Sequence, residues 1–222
     1  MKILLVYLLK ISLFFSSQAK SISTGRSFEK FLLDPWSRSW IEVYPDFLSS
    51  EQIEAMWDIM TGIQLCDAHH SRAVYWFGPN EYSYGRGERQ VVLPANDIST
   101  SPWLLRSLLA KVWQTTGANY NSCLINYYES HRQFIPPHQD NESLFGRRPT
   151  IASVSIGATR RFLVQPFGRI RGLDSEHTFQ LTNGCLLVMG GRCQEEWLHS
   201  VPREEFECGP RLNFTFRDVV IM

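Results

Sequence analysis

Apolar positions recur with two different periods along this chain, and the change of period divides it. In the first half the spacing is helical. Ile53, Met56, Trp57 and Met60 fall on one stripe behind Ser49 and Gln52, which form a capping box, so the pattern predicts a helix over about 51–62. A second stripe of Leu105, Leu108, Leu109 and Val112 predicts another helix, with Ser101 as N-cap, Pro102 in the first turn and Gly117 as the stop. From about residue 122 the period drops to two. Leu124–Tyr128, Ile151–Ile156, Arg161–Val164, His177–Leu181, Cys185–Met189 and Arg211–Arg217 read as strands, most of them separated by Gly or Pro turns, and Ile41–Tyr44 is an earlier one. Short, closely spaced strands after N-terminal helices predict a mostly β fold with flanking helices (α+β), built as a double-stranded β-helix, or jelly roll.

One stretch fits neither period. Arg72, Tyr75-Trp76-Phe77-Gly78 and Tyr82-Ser83-Tyr84-Gly85 set many rings among Gly, Pro, Asn and Ser. It reads equally as a hairpin packing its rings on the main sheet and as a lid whose rings stack on a planar ligand such as a nucleobase.

The chain has 222 residues, enough for one domain with a full core. Residues 1–36 read as a leader or disordered N-terminal arm, which leaves 37–222 as the domain. The apolar run after Lys2 is short and interrupted by Lys10, so it suits a signal or transit peptide rather than a membrane span. Two glycosylation sequons, Asn141-Glu142-Ser143 and Asn213-Phe214-Thr215, fall inside the domain, where a glycan would block the fold or the site. An intracellular protein is therefore expected. The five cysteines form no C-x-x-C pair, which fits reduced thiols better than disulfides or a zinc site.

Formal net charge is zero, so bulk charge does not announce a nucleic-acid partner and local clusters must carry that argument. Between Leu144 and Leu173 the chain carries Arg147, Arg148, Arg160, Arg161, Arg169 and Arg171 without an Asp or Glu. Solvated loop tips are the plain reading of such a run. A rim that tracks phosphates is the alternative.

Candidate chemistry centres on Ile135-Pro136-Pro137-His138-Gln139-Asp140. On an extended segment His138 and Asp140 point the same way, and a distant second histidine would complete a 2-His-1-carboxylate triad with positions open on Fe(II). Alone, H-x-D is commonly a solvated turn. Arg211, Asn213, Thr215 and Arg217 share one face of the last strand, opposite Leu212, Phe214 and Phe216. Arginines turned inward need anions, and a small dicarboxylate such as 2-oxoglutarate would satisfy both. Asn126 and Tyr128 share a face on the strand before the Pro pair, and His199 stands shortly before the final strand.

Taken together, N-x-Y at Asn126/Tyr128, H-x-D at His138/Asp140, the lone His199 before Ser200-Val201-Pro202, and R-x-N-x-x-x-R at Arg211/Asn213/Arg217 resemble the AlkB family of Fe(II)- and 2-oxoglutarate-dependent alkylation-repair dioxygenases. Residues 151–160 and 210–217 are similar to the branch of animal homologues two and three, and the likeness runs from about Tyr44 to the C-terminus. The resemblance implies Fe(II) on His138, Asp140 and His199, with 2-oxoglutarate and O2 as co-substrates. It implies that Arg211 and Arg217, helped by Asn126, Tyr128 and Asn213, hold 2-oxoglutarate. It implies that Tyr82 stacks on a damaged base opposite His138, that Glu142 contacts the exocyclic amine, and that Trp76 and Arg72 assist. The implied activity is oxidative demethylation of bases such as 1-methyladenine or 3-methylcytosine, with release of formaldehyde, in alkylation repair of DNA and by extension RNA. A nucleic-acid partner follows from it. Single strands are favoured because the lid offers no wedge for prying open duplex, and a monomer with no stable membrane span, intracellular with the nucleus favoured or the mitochondrion, is also expected. A protein or small-molecule hydroxylase and an inactive nucleic-acid-binding module are the competing readings.

Overall fold

The alternation in the last strand organises the fold. The computed structural model describes residues 28–68, 71–85, 90–168 and 175–220. The strands are β1 (Glu29–Leu32), β2 (Ser39–Tyr44), β3 (Cys66–Asp67), β4 (Ala73–Phe77), β5 (Tyr82–Tyr84), β6 (Val91–Leu93) and β7 (Ser122–Tyr128). They continue as β8 (Ile135–His138), β9 (Ile151–Gly157), β10 (Arg160–Pro166), β11 (His177–Leu181), β12 (Leu186–Gly191), β13 (Trp197–Val201) and β14 (Arg211–Arg217). The helices are α1 (Ser50–Trp57), α2 (Trp103–Thr116) and the short α3 (Cys193–Glu196).

The larger sheet has the order β1-β2-β12-β9-β14-β7-β4-β3, and a second has the order β11-β10-β13-β8. Strand β14 is central to the larger sheet and buried throughout. Its apolar side, Leu212, Phe214 and Phe216, belongs to the core beneath α1 and α2, together with Met56, Leu105, Leu108 and Val112. Its polar side lines a cavity shared with residues of the second sheet. Between the sheets Ile41, Phe162, Phe179, Leu187, Met189 and Trp197 form a second core. This is the expected jelly roll buttressed by helices.

Local signals account for most of the elements. Ser49 Oγ accepts the Gln52 N–H and the Gln52 side chain accepts the Ser49 N–H, which is the capping box read from the sequence. The helix is shorter than expected: after Trp57 the chain tightens into a 3-10 turn over Asp58–Gly62, where Gly62 has little helical preference. Gly117 closes α2 in the left-handed conformation at φ +69°. Ser101 does not cap it, because its hydroxyl is spent on the Ile98 carbonyl at 2.6 Å. All five cysteines are free thiols.

Three expectations need correction. The domain does not begin at 37: β1 pairs with β2 from Glu29 to Leu32, and Asp34 accepts backbone N–H groups of Trp36, Arg38 and Ser39, so this part of the expected arm belongs to the sheet. The remainder of the expected leader, 1–27, lies outside the described residues. The aromatic stretch is not all lid or loop, since β4 pairs with β7 in the larger sheet and only β5 and β6 form a separate hairpin. Trp197–Val201, not expected as a strand, lies between β10 and β8.

Phe214 is fully buried where β14 meets the helices. Phe214→Ala should therefore destabilise the protein by about 3–5 kcal/mol, read from urea unfolding as a lower midpoint.

Candidate active site

Two neighbouring strands bring the histidines together. His138 ends β8, and its cross-strand partner on β13 is His199, with ring centroids 4.1 Å apart. Asp140 follows just beyond β8, where its backbone N–H donates to Gln194 Oε1 at 2.8 Å. Ligand atoms of His138, Asp140 and His199 all lie within 4.8 Å of one another. His138 Nδ1 is 2.9 Å from the Pro136 carbonyl oxygen, so Nδ1 carries the proton and Nε2 faces the carboxylate with a free lone pair.

Electrostatics prepares the same three groups for a dication. Burial, helped by His138, holds the His199 pKa down to about 3, and burial also lowers that of His138. Burial opposes ionisation of Asp140, yet Arg217 and the two histidines outweigh it and hold its pKa at about 2. Arg217 donates from Nε to Oδ2 at 3.1 Å and from Nη2 to both carboxylate oxygens at 2.9 Å. Two neutral imidazoles and one carboxylate are the donor set of an open iron site.

Beside the triad is a cavity whose wall includes Asn126, Tyr128, Phe162, Arg211, Asn213 and Arg217. Arg211 donates from Nη2 to Ser155 Oγ at 2.9 Å, but its Nε and Nη1 are buried without a partner, as is Arg217 Nη1. Buried guanidinium donors left open toward a cavity call for an anion. Asn126 and Asn213 are less free. Asn126 accepts from Arg72 Nε and donates to Asn213, which donates in turn to Ser153 Oγ and accepts from Thr215. This polar ladder fixes the cavity wall from β7 to β9.

On the hairpin side, Tyr82 donates its hydroxyl to Glu142 Oε1 at 3.1 Å. The other oxygen of Glu142 is buried and unpartnered. Burial raises the Glu142 pKa, and the nearby Asp140 adds to that rise. Tyr82 itself is only 3% exposed, and its ring packs on Trp76 and Phe145.

Comparison with known proteins bears on the chemistry. The sequence pattern of the 2OG-Fe(II) oxygenase superfamily matches residues 27–217. Alpha-ketoglutarate-dependent dioxygenase alkB homolog 3 of Homo sapiens is 31% identical over 207 residues, covering 84% of this chain and 68% of the human one. The chain belongs to the AlkB family of 2OG-Fe(II) oxygenases. The Bos taurus alkB homolog 3 is 34% identical over 170 residues, 73% of this chain and 57% of its own. The Homo sapiens protein named DNA oxidative demethylase ALKBH2 is 30% identical over 149 residues, 63% of this chain and 56% of its own. A solved structure of OsALKBH1 shares the fold at TM-score 0.59 and 18% identity, covering 80% of this chain and 97% of that one. An oxidoreductase of the same oxygenase family from Burkholderia pseudomallei does so at 0.51 and 17%, covering 81% and 86%. The family requires Fe(II) and 2-oxoglutarate, and His138, Asp140 and His199 are a group that could hold the iron.

Several expected site residues take other positions. Trp76, 1% exposed, backs Tyr82 and donates its indole N–H to the Asn80 carbonyl, so it supports the wall rather than facing a ligand. Tyr82 is buried by the same cluster, with its hydroxyl on Glu142. Tyr84, two residues on in the same aromatic stretch, is only partly buried. Arg72 is buried with its guanidinium 5.7 Å from the Tyr84 ring.

The arginine rim is also corrected. Arg160 is 1% exposed and its two terminal nitrogens donate to backbone carbonyls, while Arg161 is paired to Glu204 at 2.8 Å. Arg148 shares Glu195 with Arg192. Arg147 is the outward one, its side chain 81% exposed. Arg169 and Arg171 lie outside the described residues.

Replacing a triad ligand, as in His199→Ala, should lower Mn(II) or Fe(II) affinity by more than the roughly 10- to 100-fold typical of losing an outer partner. Arg211→Met should leave metal affinity unchanged. Equilibrium dialysis of the two variants checks the assignment.

Proposed function

We propose that this chain oxidatively removes alkyl groups from nitrogen atoms of damaged nucleobases, of the 1-methyladenine and 3-methylcytosine type. The observation that carries the reading is Glu142. A buried carboxylate with one oxygen fixed by Tyr82 and the other unpartnered stands close to the metal triad. A methylated, cationic base with an exocyclic amine offers that oxygen both a positive charge and a donor. The names of the relatives, a DNA oxidative demethylase among them, support the same substrate class.

Iron with 2-oxoglutarate and O2 supplies the oxidation of the N-methyl carbon, after which the hydroxymethyl group leaves as formaldehyde. The chain's own groups do the positioning. Arg217 holds the Asp140 carboxylate by both oxygens, and the Pro136 carbonyl holds the His138 ring. The unpartnered donors of Arg211 take a carboxylate of 2-oxoglutarate, with the Asn126–Asn213 ladder and Tyr128 shaping the wall. Tyr84 and His138 flank the base, with Arg72 behind Tyr84.

A base must leave its stack to reach this site, and a methyl that blocks pairing makes that cheaper, so single strands are the favoured substrate. Triad, arginines and recognition wall all come from one chain, consistent with a monomer. The nucleus, or the mitochondrion, is the location that goes with alkylated DNA as substrate. Among the described residues no helix is long and apolar enough to cross a membrane.

The test is mass spectrometry of methylated DNA and RNA oligonucleotides incubated with the protein, Fe(II), 2-oxoglutarate and ascorbate. Loss of one methylene mass is expected, and it should vanish in His138→Ala. Turnover of 2-oxoglutarate without any change in the oligonucleotides would overturn the reading in favour of a protein or small-molecule hydroxylase. Glu142→Ala should lower kcat/KM on cationic bases roughly 10- to 100-fold, the worth of one charge-assisted hydrogen bond.

A further inference from the structure

Arg160 is a buried cation that neither the metal site nor the surface explains. It begins β10, directly after the turn at Gly157, whose φ of +93° and contact with the Pro210 carbonyl leave no room for a Cβ. Its Nη2 donates to the Gln133 and Pro202 carbonyls, both at 2.6 Å, and Nη1 reaches the Ser130 carbonyl at 3.4 Å. One side chain thus ties the segment leading into His138 to the segment leaving His199.

Arg160 also packs against a ring. Its guanidinium carbon is 5.3 Å from the centroid of Tyr128, and the guanidinium carbon of Arg211 is 5.0 Å from the same centroid. Tyr128 and Arg211 are direct cross-strand partners on β7 and β14. The ring therefore lies against both cations.

Among the described residues, this end of the cavity is short of anions. Glu204 is the carboxylate near Arg160, at 3.5 Å, and it is already engaged by Arg161 at 2.8 Å. Neutral donors could satisfy the three carbonyls without burying a second guanidinium beside Arg211. Burial lowers the Arg211 pKa, and Arg160 adds to that effect. Such an arrangement is stabilised when an anion enters the cavity.

We infer that Arg160 is a positioning residue for the co-substrate: through Tyr128 it holds the Arg211 fork aimed into the cavity, and its charge strengthens the pull on the distal carboxylate of 2-oxoglutarate. The inference rests on the reading of Arg211 as the carboxylate anchor. It moves Arg160 from the nucleic-acid rim expected from its sequence to the opposite end of the reaction.

The experiment is calorimetric titration of 2-oxoglutarate, and separately of 2-oxobutyrate, which lacks the distal carboxylate, into the full chain loaded with Mn(II). Arg160→Met should weaken 2-oxoglutarate about ten-fold or more, as for other outer partners of a site, and leave 2-oxobutyrate and Mn(II) affinity unchanged. Arg160→Lys keeps the charge without the planar fork and should recover part of the loss. If Arg160→Met does not fold, Arg160→Lys decides, with a smaller loss again confined to 2-oxoglutarate. Equal losses for both oxoacids, no loss for either, or weakened binding of a DNA oligonucleotide in place of 2-oxoglutarate would overturn the inference. An Arg211→Met control separates the two readings. If it too fails to discriminate between the oxoacids, the anchor reading falls and the inference with it; if it discriminates and Arg160→Met does not, the inference alone falls.

Discussion

The buried pair between Arg217 and Asp140 is the interaction on which the rest of the site depends. Both side chains are removed from water, and three contacts of 2.9 to 3.1 Å join them. Either charge alone in that position would cost several kcal/mol. Together they fix the carboxylate of a segment that has already left its strand, and they anchor it to the centre of the larger sheet. The group that could hold iron is thus built across two sheets: two imidazoles from β8 and β13, and a carboxylate held from β14.

The inner face of β14 divides the remaining work. Arg217 orients a metal ligand, Asn213 and Thr215 join the polar ladder, and Arg211 keeps donors open to the cavity. Because alternate residues of a strand share one face, these roles follow one another along the cavity. The opposite face is wholly apolar and packs under the helices, so the strand is held in register by its hydrophobic side and acts with its polar side. Arg160 extends the logic to a second layer, where a cation is placed behind a ring rather than in the cavity.

Much of this was legible in the chain. Period-2 alternation marked β7, β9, β10, β11, β12 and β14 closely, and the Ser49–Gln52 box and Gly117 marked the helix ends, because these signals are local. The candidate metal group of His138, Asp140 and His199 was legible because the order and spacing of these residues are distinctive in combination. Trp197–Val201 was not recognised as a strand, since pairing to β10 and β8 overrides its weak alternation. Tyr82 and Tyr84 look alike in sequence; burial under Trp76 and Phe145 separates them.

By itself the sequence determined the strand pattern and the two faces of β14, since each depends on residue type and short-range spacing, and it singled out the His138, Asp140 and His199 group that the fold brings together. Only the tertiary structure decided which arginine meets which anion. Arg147, Arg148, Arg160 and Arg161 are one basic cluster along the chain, yet Arg147 is mostly solvent-exposed beside Glu195, Arg148 is held by Glu195 and Arg161 by Glu204, and Arg160 is buried against Tyr128. The physical reason is that an arginine is placed by its long-range partners, here carbonyls of the β7–β8 and β13–β14 connections, and those come together only when the two sheets close.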